Sequence, residues 1–439
     1  MRDDRAVVRD LQNKDGRKTQ ALKVTLAYGD GRLSLDLPGE RTTVITPTFR
    51  PALAHPERAL QTAFRSPIEA GPLRGLAQRG QRVAISVCDV TRAQPRQLML
   101  RAILDDLEGV IRPEDVTVLI ATGTHRANTD SEIREMLGED IASACRVVNH
   151  VARDESSLHD LGTIGNGVPV KLNREWTGAD LRITTGFVEP HFFAGFSGGP
   201  KMVAPGLAGI ETVLTLHDAA RIGHPNATWG VIEGNPVHDD VRAIARAAAP
   251  DFSVDVVLNS EQQVTGVYAG HLFAAHAAAC RQAKLDSMRP ISRPFDVVIT
   301  SNSGYPLDQN LYQAVKGMSA AARVVKPGGL IVCAAECRDG IPDHGSYAAI
   351  LSARPDPASL LEMIETPGYS EPDQWQVQIQ AKIQMKARVL MKAGKLTDAQ
   401  LDATHFEAVD DIEAAVKAAG DDASICVLPE GPQTIPFIA

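Results

Sequence analysis

Short, almost continuous apolar runs recur along the chain, and they constrain its fold more than any other feature. Six of them have the length of buried strands: RVAISV (82–87), VTVLIA (116–121), LRITTG (181–186), VDVVLN (254–259), FDVVITS (295–301) and GLIVCAAE (329–336). Apolar runs without alternation are typical of parallel strands that are covered on both faces. Helical patterns separate them, at 94–107, 209–223, 238–249, 271–284 and 311–325. The alternation predicts an α/β fold with largely parallel sheets.

The length of 439 residues predicts two domains. The segment DSMRPISRPFDVV (286–298) places two prolines between a helical pattern and a new strand, which is typical of a boundary. We therefore predict an N-terminal α/β domain over residues 21–288, a C-terminal α/β domain over 289–439, and an active-site cleft between them. Residues 1–20 are charged and have no apolar signal-peptide core, so we predict a mobile extension on a cytoplasmic protein.

The formal net charge of −9, without a long basic run, argues against nucleic acid or an anionic membrane surface as a partner. The sequence has no run of about 18 apolar residues, the length that a membrane-spanning helix needs. The composition favours a small molecule as the partner of this protein. It is also compatible with a homo-oligomer.

Reactive side chains follow four of the predicted strands. In open α/β sheets, ligands bind beyond the carboxyl ends of the strands. The four stretches are CDVTR with Asp89 and Arg92, TGTHR with His125, GFVEPHFFAGFSGGPK with Glu189, His191 and Lys201, and NLYQAVKG with Tyr312, Gln313 and Lys316. Each has an ordinary structural explanation, such as a helix cap or a tight glycine turn. Their coincidence at one end of the fold indicates a functional site.

His217 lies in the helical pattern GIETVLTLHDAARIG. With Ile210, Val213 and Leu214 it follows the i, i+3, i+4, i+7 spacing of one helix face. A histidine on a buried helix face is either a core residue or an inward-pointing metal ligand. The periodicity does not separate these two interpretations.

Taken together, these residues resemble one family: the nickel-pincer lactate racemases and their 2-hydroxy-acid racemase and epimerase relatives. The resemblance runs from about residue 82 to Trp375. It rests on the motifs CDVTR, THR, EPHFFAGFSGGPK, HPNATWGVIEGNPVH and LYQAVKG and on the helix that carries His217.

The resemblance implies a cofactor, the nickel-pincer nucleotide, which is a pyridinium mononucleotide with two sulfur-containing arms that bind nickel. Lys201 would hold this cofactor covalently, and His217 would be the nickel ligand from the protein. Asp89 and Arg92 would contact the cofactor. Other proteins must synthesise the nucleotide, so cofactor-biosynthesis proteins are implied partners.

The resemblance also implies that His125 and His191 act as an acid/base pair on a short-chain 2-hydroxy acid. A racemase needs a base on each side of the reacting carbon, and histidine has a suitable pKa. Hydride would leave C2 and return to either face, which interconverts the D and L enantiomers. Lys316 and Gln313 would bind the substrate carboxylate, while Tyr312 and Trp375 would shape the pocket.

Two other functions remain open at this stage. One is a zinc-dependent hydrolase or lyase with a site of three histidines, His125, His191 and His217. The other is a non-catalytic carrier of the nickel nucleotide, which would not need a matched pair of histidines.

Overall fold

The computed structural model describes residues 6–12, 18–342 and 345–439, without the side chains of 6–12 and 18–20. In chain order the strands are β1 (Ala6–Gln12), β2 (Lys18–Tyr28), β3 (Gly31–Pro38), β4 (Thr42–Val44), β5 (Val83–Cys88), β6 (Val116–Ala121), β7 (Arg146–Asn149), β8 (Leu158–Ile164), β9 (Val168–Asn173), β10 (Leu181–Phe187), β11 (Pro190–His191), β12 (Gly195–Phe196), β13 (Phe252–Leu258), β14 (Val264–Gly270), β15 (Met288–Ile291), β16 (Phe295–Ser301), β17 (Val325–Ala334), β18 (Arg388–Lys392), β19 (Glu407–Ala408), β20 (Ile425–Leu428) and β21 (Ile435–Ile438).

The α-helices are α1 (Pro56–Arg65), α2 (Leu73–Leu76), α3 (Arg96–Leu107), α4 (Asp130–Leu137), α5 (Glu139–Ala144), α6 (Arg174–Thr177), α7 (Ile210–Leu216), α8 (Ala219–Gly223), α9 (Pro236–Ala247), α10 (Leu272–Ser287), α11 (Leu311–Ala322), α12 (Tyr347–Ser352), α13 (Pro357–Ile364), α14 (Gln374–Lys386), α15 (Asp398–Asp402) and α16 (Ile412–Ala418). Short 3-10 helices cover Gly39–Arg41, Pro113–Asp115, Glu155–Ser157, Gly199–Met202 and Gly431–Gln433. In the part of the chain that the structure describes, no helix combines the length and apolar character needed to cross a membrane.

The chain forms two compact units. The central unit contains Phe49–His217 and His224–Asp286. The terminal unit contains the described residues up to Thr48, the short segment Asp218–Gly223, and the described residues from Ser287 to Ala439.

The central unit is built on a six-stranded sheet in the order β14-β13-β10-β5-β6-β7. All neighbouring pairs are parallel except β13 with β14. One face of the sheet packs Ile85, Ile183 and Val254 against apolar side chains of α1 and α3 in a large buried core. On the other face, Ser86, Thr184 and Ser253 lie side by side in register and are buried. The central strands therefore carry an apolar face and a partly polar face.

The terminal unit has a second six-stranded sheet in the order β19-β18-β17-β16-β20-β4, in which every pair is parallel. An antiparallel sheet of β1, β2 and β3 supplies Leu26 and Leu35 to the core of this unit, where they join Val297 and Ile299. The six predicted strands are all present, and the α/β class with largely parallel sheets is confirmed.

The N-terminal region differs from the prediction. Residues 1–5 and 13–17 of the predicted mobile extension lie outside the described residues. The rest of it is not an irregular tail, because β1 and the start of β2 form a regular antiparallel ladder. Residues 21–48, which the sequence predicts as part of the N-terminal domain, belong to the terminal unit with the C-terminal part of the chain. The pairing of β4 with β20 is a long-range contact, which local sequence patterns do not reveal.

The helix predicted over 209–223 is interrupted. α7 ends at Leu216, His217 follows as its C-cap, and α8 starts at Ala219. The cause is a new cap: Asp218 Oδ1 accepts a hydrogen bond of 2.8 Å from the Arg221 N–H, as an N-cap carboxylate does. His217 therefore lies at a helix end and not within a continuous helix face.

Candidate active site

Asp89, in the loop that follows β5, is buried and accepts a hydrogen bond from a histidine in the loop that follows β6. His125 Nδ1 donates a hydrogen bond of 2.6 Å to Asp89 Oδ2, and the Thr91 hydroxyl donates one of 2.6 Å to Asp89 Oδ1. Burial opposes ionisation of Asp89, but the hydrogen bond and charge of His125, with Arg92 and Thr91, hold its pKa below the ordinary carboxylate value. The sequence predicted a cofactor contact for Asp89 and gave no sign of this carboxylate–histidine pair.

A buried arginine holds the loop of residues 89–95, which we call the β5 loop. Arg96 donates hydrogen bonds to the carbonyl oxygens of Cys88 (2.7 Å), Arg92 (2.6 Å) and Gln94 (3.2 Å), and also to that of Asp89. A guanidinium suits this task because its donors form a rigid fork. One side chain therefore binds four carbonyl groups in or next to the β5 loop.

His125 is placed by a tight turn after β6. Its N–H donates to Thr122 O (2.9 Å), and Gly123 adopts a φ of 56°, which favours glycine. The Thr122 hydroxyl donates to His150 O (2.5 Å) and ties the turn to the residue that follows β7. The His125 side chain is 47% exposed, so a small molecule can reach its ring.

The stretch after β10 reverses direction before it reaches Lys201. β11 and β12 form a short antiparallel hairpin that carries His191. Gly198 and Gly199 then take φ values of 70° and 48°, and the 3-10 helix Gly199–Met202 carries Lys201. We call residues 197–202 the lysine turn. Two consecutive residues in the left-handed region explain why glycines are needed here.

Phe193 is the centre of a group that includes three of the predicted site residues. Lys201 Nζ lies 3.4 Å from His191 Nε2 and 5.3 Å from the centre of the Phe193 ring. The rings of His191 and His217 both meet Phe193 edge-on, with centroid distances of 4.5 Å and 5.1 Å. Sequence reasoning missed Phe193, although its place inside EPHFFAGF, two residues after His191, could have suggested it.

His217 is buried and uncharged. Its Nδ1 donates a hydrogen bond of 2.7 Å to Val213 O, one helical turn back. Burial, and then the charge of Lys201, lower the pKa of His217 to about 3. The neutral ring with a proton on Nδ1 has its lone pair on Nε2, and this is the form in which histidine binds a metal.

The predicted substrate residues lie in the terminal unit. Tyr312, Gln313 and Lys316 are on α11, and Trp375 is on α14. Trp375 Nε1 donates to the Tyr312 hydroxyl (3.1 Å), and Lys316 Nζ donates to Gln313 Oε1 (2.6 Å). The three-residue spacing of Gln313 and Lys316 thus places their side chains together, as a shared helix face requires.

Among the described residues, no group of three or more His, Cys, Asp or Glu side chains is arranged to hold a metal ion. His125, His191 and His217 therefore do not form the three-histidine site of a zinc enzyme, and this alternative has no structural support.

Comparisons with known proteins agree over most of the chain. Residues 28–230 match the family model described as the lactate racemase N-terminal domain, and residues 291–435 match the lactate racemase C-terminal domain. A lactate racemase of Thermoanaerobacterium thermosaccharolyticum is 35% identical over 422 residues, which cover 94% of this chain and 98% of that protein. The chain belongs to the lactate racemase family of isomerases.

A second lactate racemase and a solved lactate racemase structure agree with this assignment. A lactate racemase of Lactiplantibacillus plantarum is 35% identical over 382 residues, covering 85% of this chain and 89% of that protein. The solved structure of the lactate racemase apoprotein from T. thermosaccharolyticum has a TM-score of 0.89 at 34% identity, covering 94% of this chain and 99% of that chain. A protein structure from Thermotoga maritima, with a TM-score of 0.67 and 18% identity, shares the fold.

Proposed function

We propose that this lactate racemase family member interconverts the D and L forms of a short-chain 2-hydroxy acid, with a nickel-pincer nucleotide held covalently by Lys201. The observation that carries the proposal is the group around Phe193. Lys201, His191 and His217 all contact this one ring, so the proposed cofactor lysine, one acid/base histidine and the metal ligand occur together.

His217 has the properties of a nickel ligand. It is neutral at neutral pH, its Nδ1 proton is engaged by Val213 O, and its Nε2 can therefore offer a lone pair. A backbone carbonyl on the second ring nitrogen is the usual way in which proteins orient a metal-binding histidine. Imidazole nitrogen is a suitable ligand for nickel, and the sulfur arms of the nucleotide would supply the other donors.

Lys201 would hold the nucleotide, and the bound nucleotide would supply the hydride acceptor. A hydride route avoids removing a proton from C2 beside a carboxylate, which would create a dianion that needs strong electrostatic stabilisation. The protein must then do two things: move the hydroxyl proton of the substrate and keep its carboxylate in place.

His125 and His191 are the proposed acid/base pair. His125 Nδ1 donates a hydrogen bond to Asp89, which leaves the lone pair of the neutral ring on Nε2, where it can accept a proton from a substrate hydroxyl. His191 Nδ1 accepts a hydrogen bond from the Ala194 N–H (3.3 Å), and its Nε2 lies 3.4 Å from Lys201 Nζ. Each histidine would take the hydroxyl proton of one enantiomer and, once protonated, would return it to the keto oxygen, as alternating acid/base catalysis requires. Asp89 acts as a positioning residue for His125, and Arg92 remains a proposed cofactor contact.

Lys316 and Gln313 would bind the substrate carboxylate. Lys316 supplies a charge and Gln313 a directed hydrogen bond, and charge-assisted bonds of this kind are strong. Tyr312 and Trp375 are joined by a hydrogen bond and would shape the space for the rest of the substrate. The pairing of two large aromatic side chains favours a short aliphatic substrate.

The decisive test is peptide mass spectrometry on Lys201 in protein that was produced together with a pathway for the cofactor. We expect a sulfur-bearing nucleotide on Lys201, stoichiometric nickel, and racemisation of lactate or a close homologue. Lys171, which is paired with Glu155 on the surface, is the internal control and should be unmodified. Racemisation by protein with an unmodified Lys201 would contradict the proposal.

The same preparation distinguishes the roles of the histidines. His125→Asn and His191→Asn should keep nickel and the adduct but lose most activity, whereas His217→Asn should lose nickel. Loss of metal from all three variants would instead support a shared metal site.

A further inference from the structure

Two buried polar side chains behind the lysine turn have no role in the reaction proposed above. Asp255 is on β13 and His276 is on α10. Asp255 Oδ1 accepts a hydrogen bond of 3.0 Å from the Gly199 N–H, and His276 Nε2 donates one of 2.9 Å to Ser197 O. One side chain therefore binds an N–H group of the turn, and the other binds a carbonyl group.

The glycines of this region are packed directly against these two residues. A Cβ atom at Gly199 would lie 2.4 Å from the His276 ring, and one at Gly198 would lie 2.9 Å from Asp255 Oδ1. At Gly186, the distance to Asp255 Oδ1 would be 2.2 Å. Side-chain carbons do not approach other atoms so closely, so the contacts, as well as the positive φ values, require glycine.

The position of Lys201 depends on this turn. The Lys201 N–H donates to Gly198 O (3.1 Å), so the backbone of the lysine is built on the two glycines. A buried N–H or C=O group that loses its partner is costly, and the turn would relax to regain one. A shift of about 1 Å at a reacting group can cost on the order of a hundredfold in rate.

We propose that Asp255 and His276 are positioning residues that hold the lysine turn and direct Lys201 towards its cofactor. The inference rests on the proposed function, because it assigns these residues to cofactor attachment. Neither residue touches the substrate, and neither exchanges a proton in the reaction.

Conservative variants can separate positioning from charge. Burial raises the pKa of Asp255 and lowers the pKa of His276, which favours the uncharged form of each. The amide side chains of Asp255→Asn and His276→Gln can make the same two hydrogen bonds. Asp255→Ala and His276→Leu cannot make them. Thr184→Val is the matched control, because Thr184 is buried on the same face of the sheet and its hydroxyl makes no hydrogen bond to the lysine turn.

Two readouts are needed, and the first does not involve the cofactor. Hydrogen exchange of the apoprotein, measured on peptides that cover the lysine turn, should be about tenfold faster in Asp255→Ala and His276→Leu than in the parent protein. The second readout is the fraction of Lys201 that carries the nucleotide, which should fall several-fold in the same two variants. Asp255→Asn, His276→Gln and Thr184→Val should resemble the parent protein in both.

The inference is wrong if the alanine and leucine variants keep slow exchange and full attachment, or if Thr184→Val is impaired as much as they are. If one variant does not fold, the pair at the other residue still decides the question. If the parent protein never carries the nucleotide, the proposed function fails, whereas the exchange data still show whether the two residues hold the turn.

Discussion

The β5 loop and the lysine turn both present functional side chains at strand ends of the same sheet, but they are held in opposite ways. The β5 loop is held by a cation, Arg96, which gathers carbonyl groups from the residues immediately before it. The lysine turn is held by Asp255 and His276, which lie 56 and 79 positions along the chain from the groups that they bind. The first loop is therefore organised by its own sequence, whereas the second depends on the assembled unit.

The largest expected effect comes from removing the cation. Arg96→Met should lower the free energy of unfolding by about 4 kcal/mol, because several buried carbonyl groups lose their donor at once. Urea unfolding followed by circular dichroism measures this loss. Arg101→Met is the control on the same helix, since it removes only an exposed ion pair with Asp140 and should cost less than about 1 kcal/mol. Equal losses in the two variants would mean that Arg96 does not hold the loop.

A methyl group in the lysine turn should have the next largest effect. Gly199→Ala combines a positive φ with a collision against His276, so we expect a loss of about 2–3 kcal/mol in the free energy of unfolding. Gly162→Ala is the control: its φ is 76°, and nothing lies within 4 Å of its Cβ position, so only about 1 kcal/mol of backbone strain remains. In a double-mutant cycle, His276→Ala should cost less free energy of unfolding in the Gly199→Ala variant than in the parent protein, because it also relieves the collision. Equal costs in the two backgrounds would show that the collision is unimportant.

The smallest expected effect is on the pH dependence of stability, through His238 on α9, whose ring stacks on that of His276 with a centroid distance of 6.0 Å. Burial, and then the charges of His276 and Arg242, lower the pKa of His238 to about 3, against about 6.5 in the unfolded chain. Between these values only the unfolded chain binds the proton, so stability falls as the pH drops from about 6.5 towards 3, by at most ~1.4 kcal/mol per pH unit for one group. His238→Leu should flatten this slope in unfolding measurements.

The β5 loop should respond in a different pH range. The pKa of Asp89 is lowered on folding, so its contribution is present above about 3.9 and is lost only as the pH falls further. Asp89→Asn should therefore remove a loss of stability that sets in only below about pH 3.9. Unchanged acid sensitivity below this pH in Asp89→Asn would mean that the ionised Asp89 carboxylate does not stabilise the folded protein.

The same contrast explains what the sequence could reveal. Strands such as Val116–Ala121 and Phe295–Ser301 were predictable because continuous apolar runs are a local signal, and residues after strand ends such as His125 and Lys201 follow from them. The motifs themselves led to the lactate racemase family. The bond between Asp89 and His125, the contacts of Phe193, and the support from Asp255 and His276 join distant parts of the chain, so no local pattern encodes them. The break after His217 is not predictable from the apolar spacing of this segment, because Asp218 is compatible both with a helix interior and with an N-cap.

The strand pairing at the edge of the terminal sheet also sets the order in which the protein can be completed during synthesis. The central unit occupies a nearly continuous stretch and is fully made once Asp286 has emerged from the ribosome. β4 must wait for β20, whose Ile425 lies opposite Thr42. At ordinary translation rates of 5–20 residues per second this delay is roughly 20–80 s. Throughout that time β4 has no finished sheet to join, and it stays exposed to chaperones and to other nascent chains.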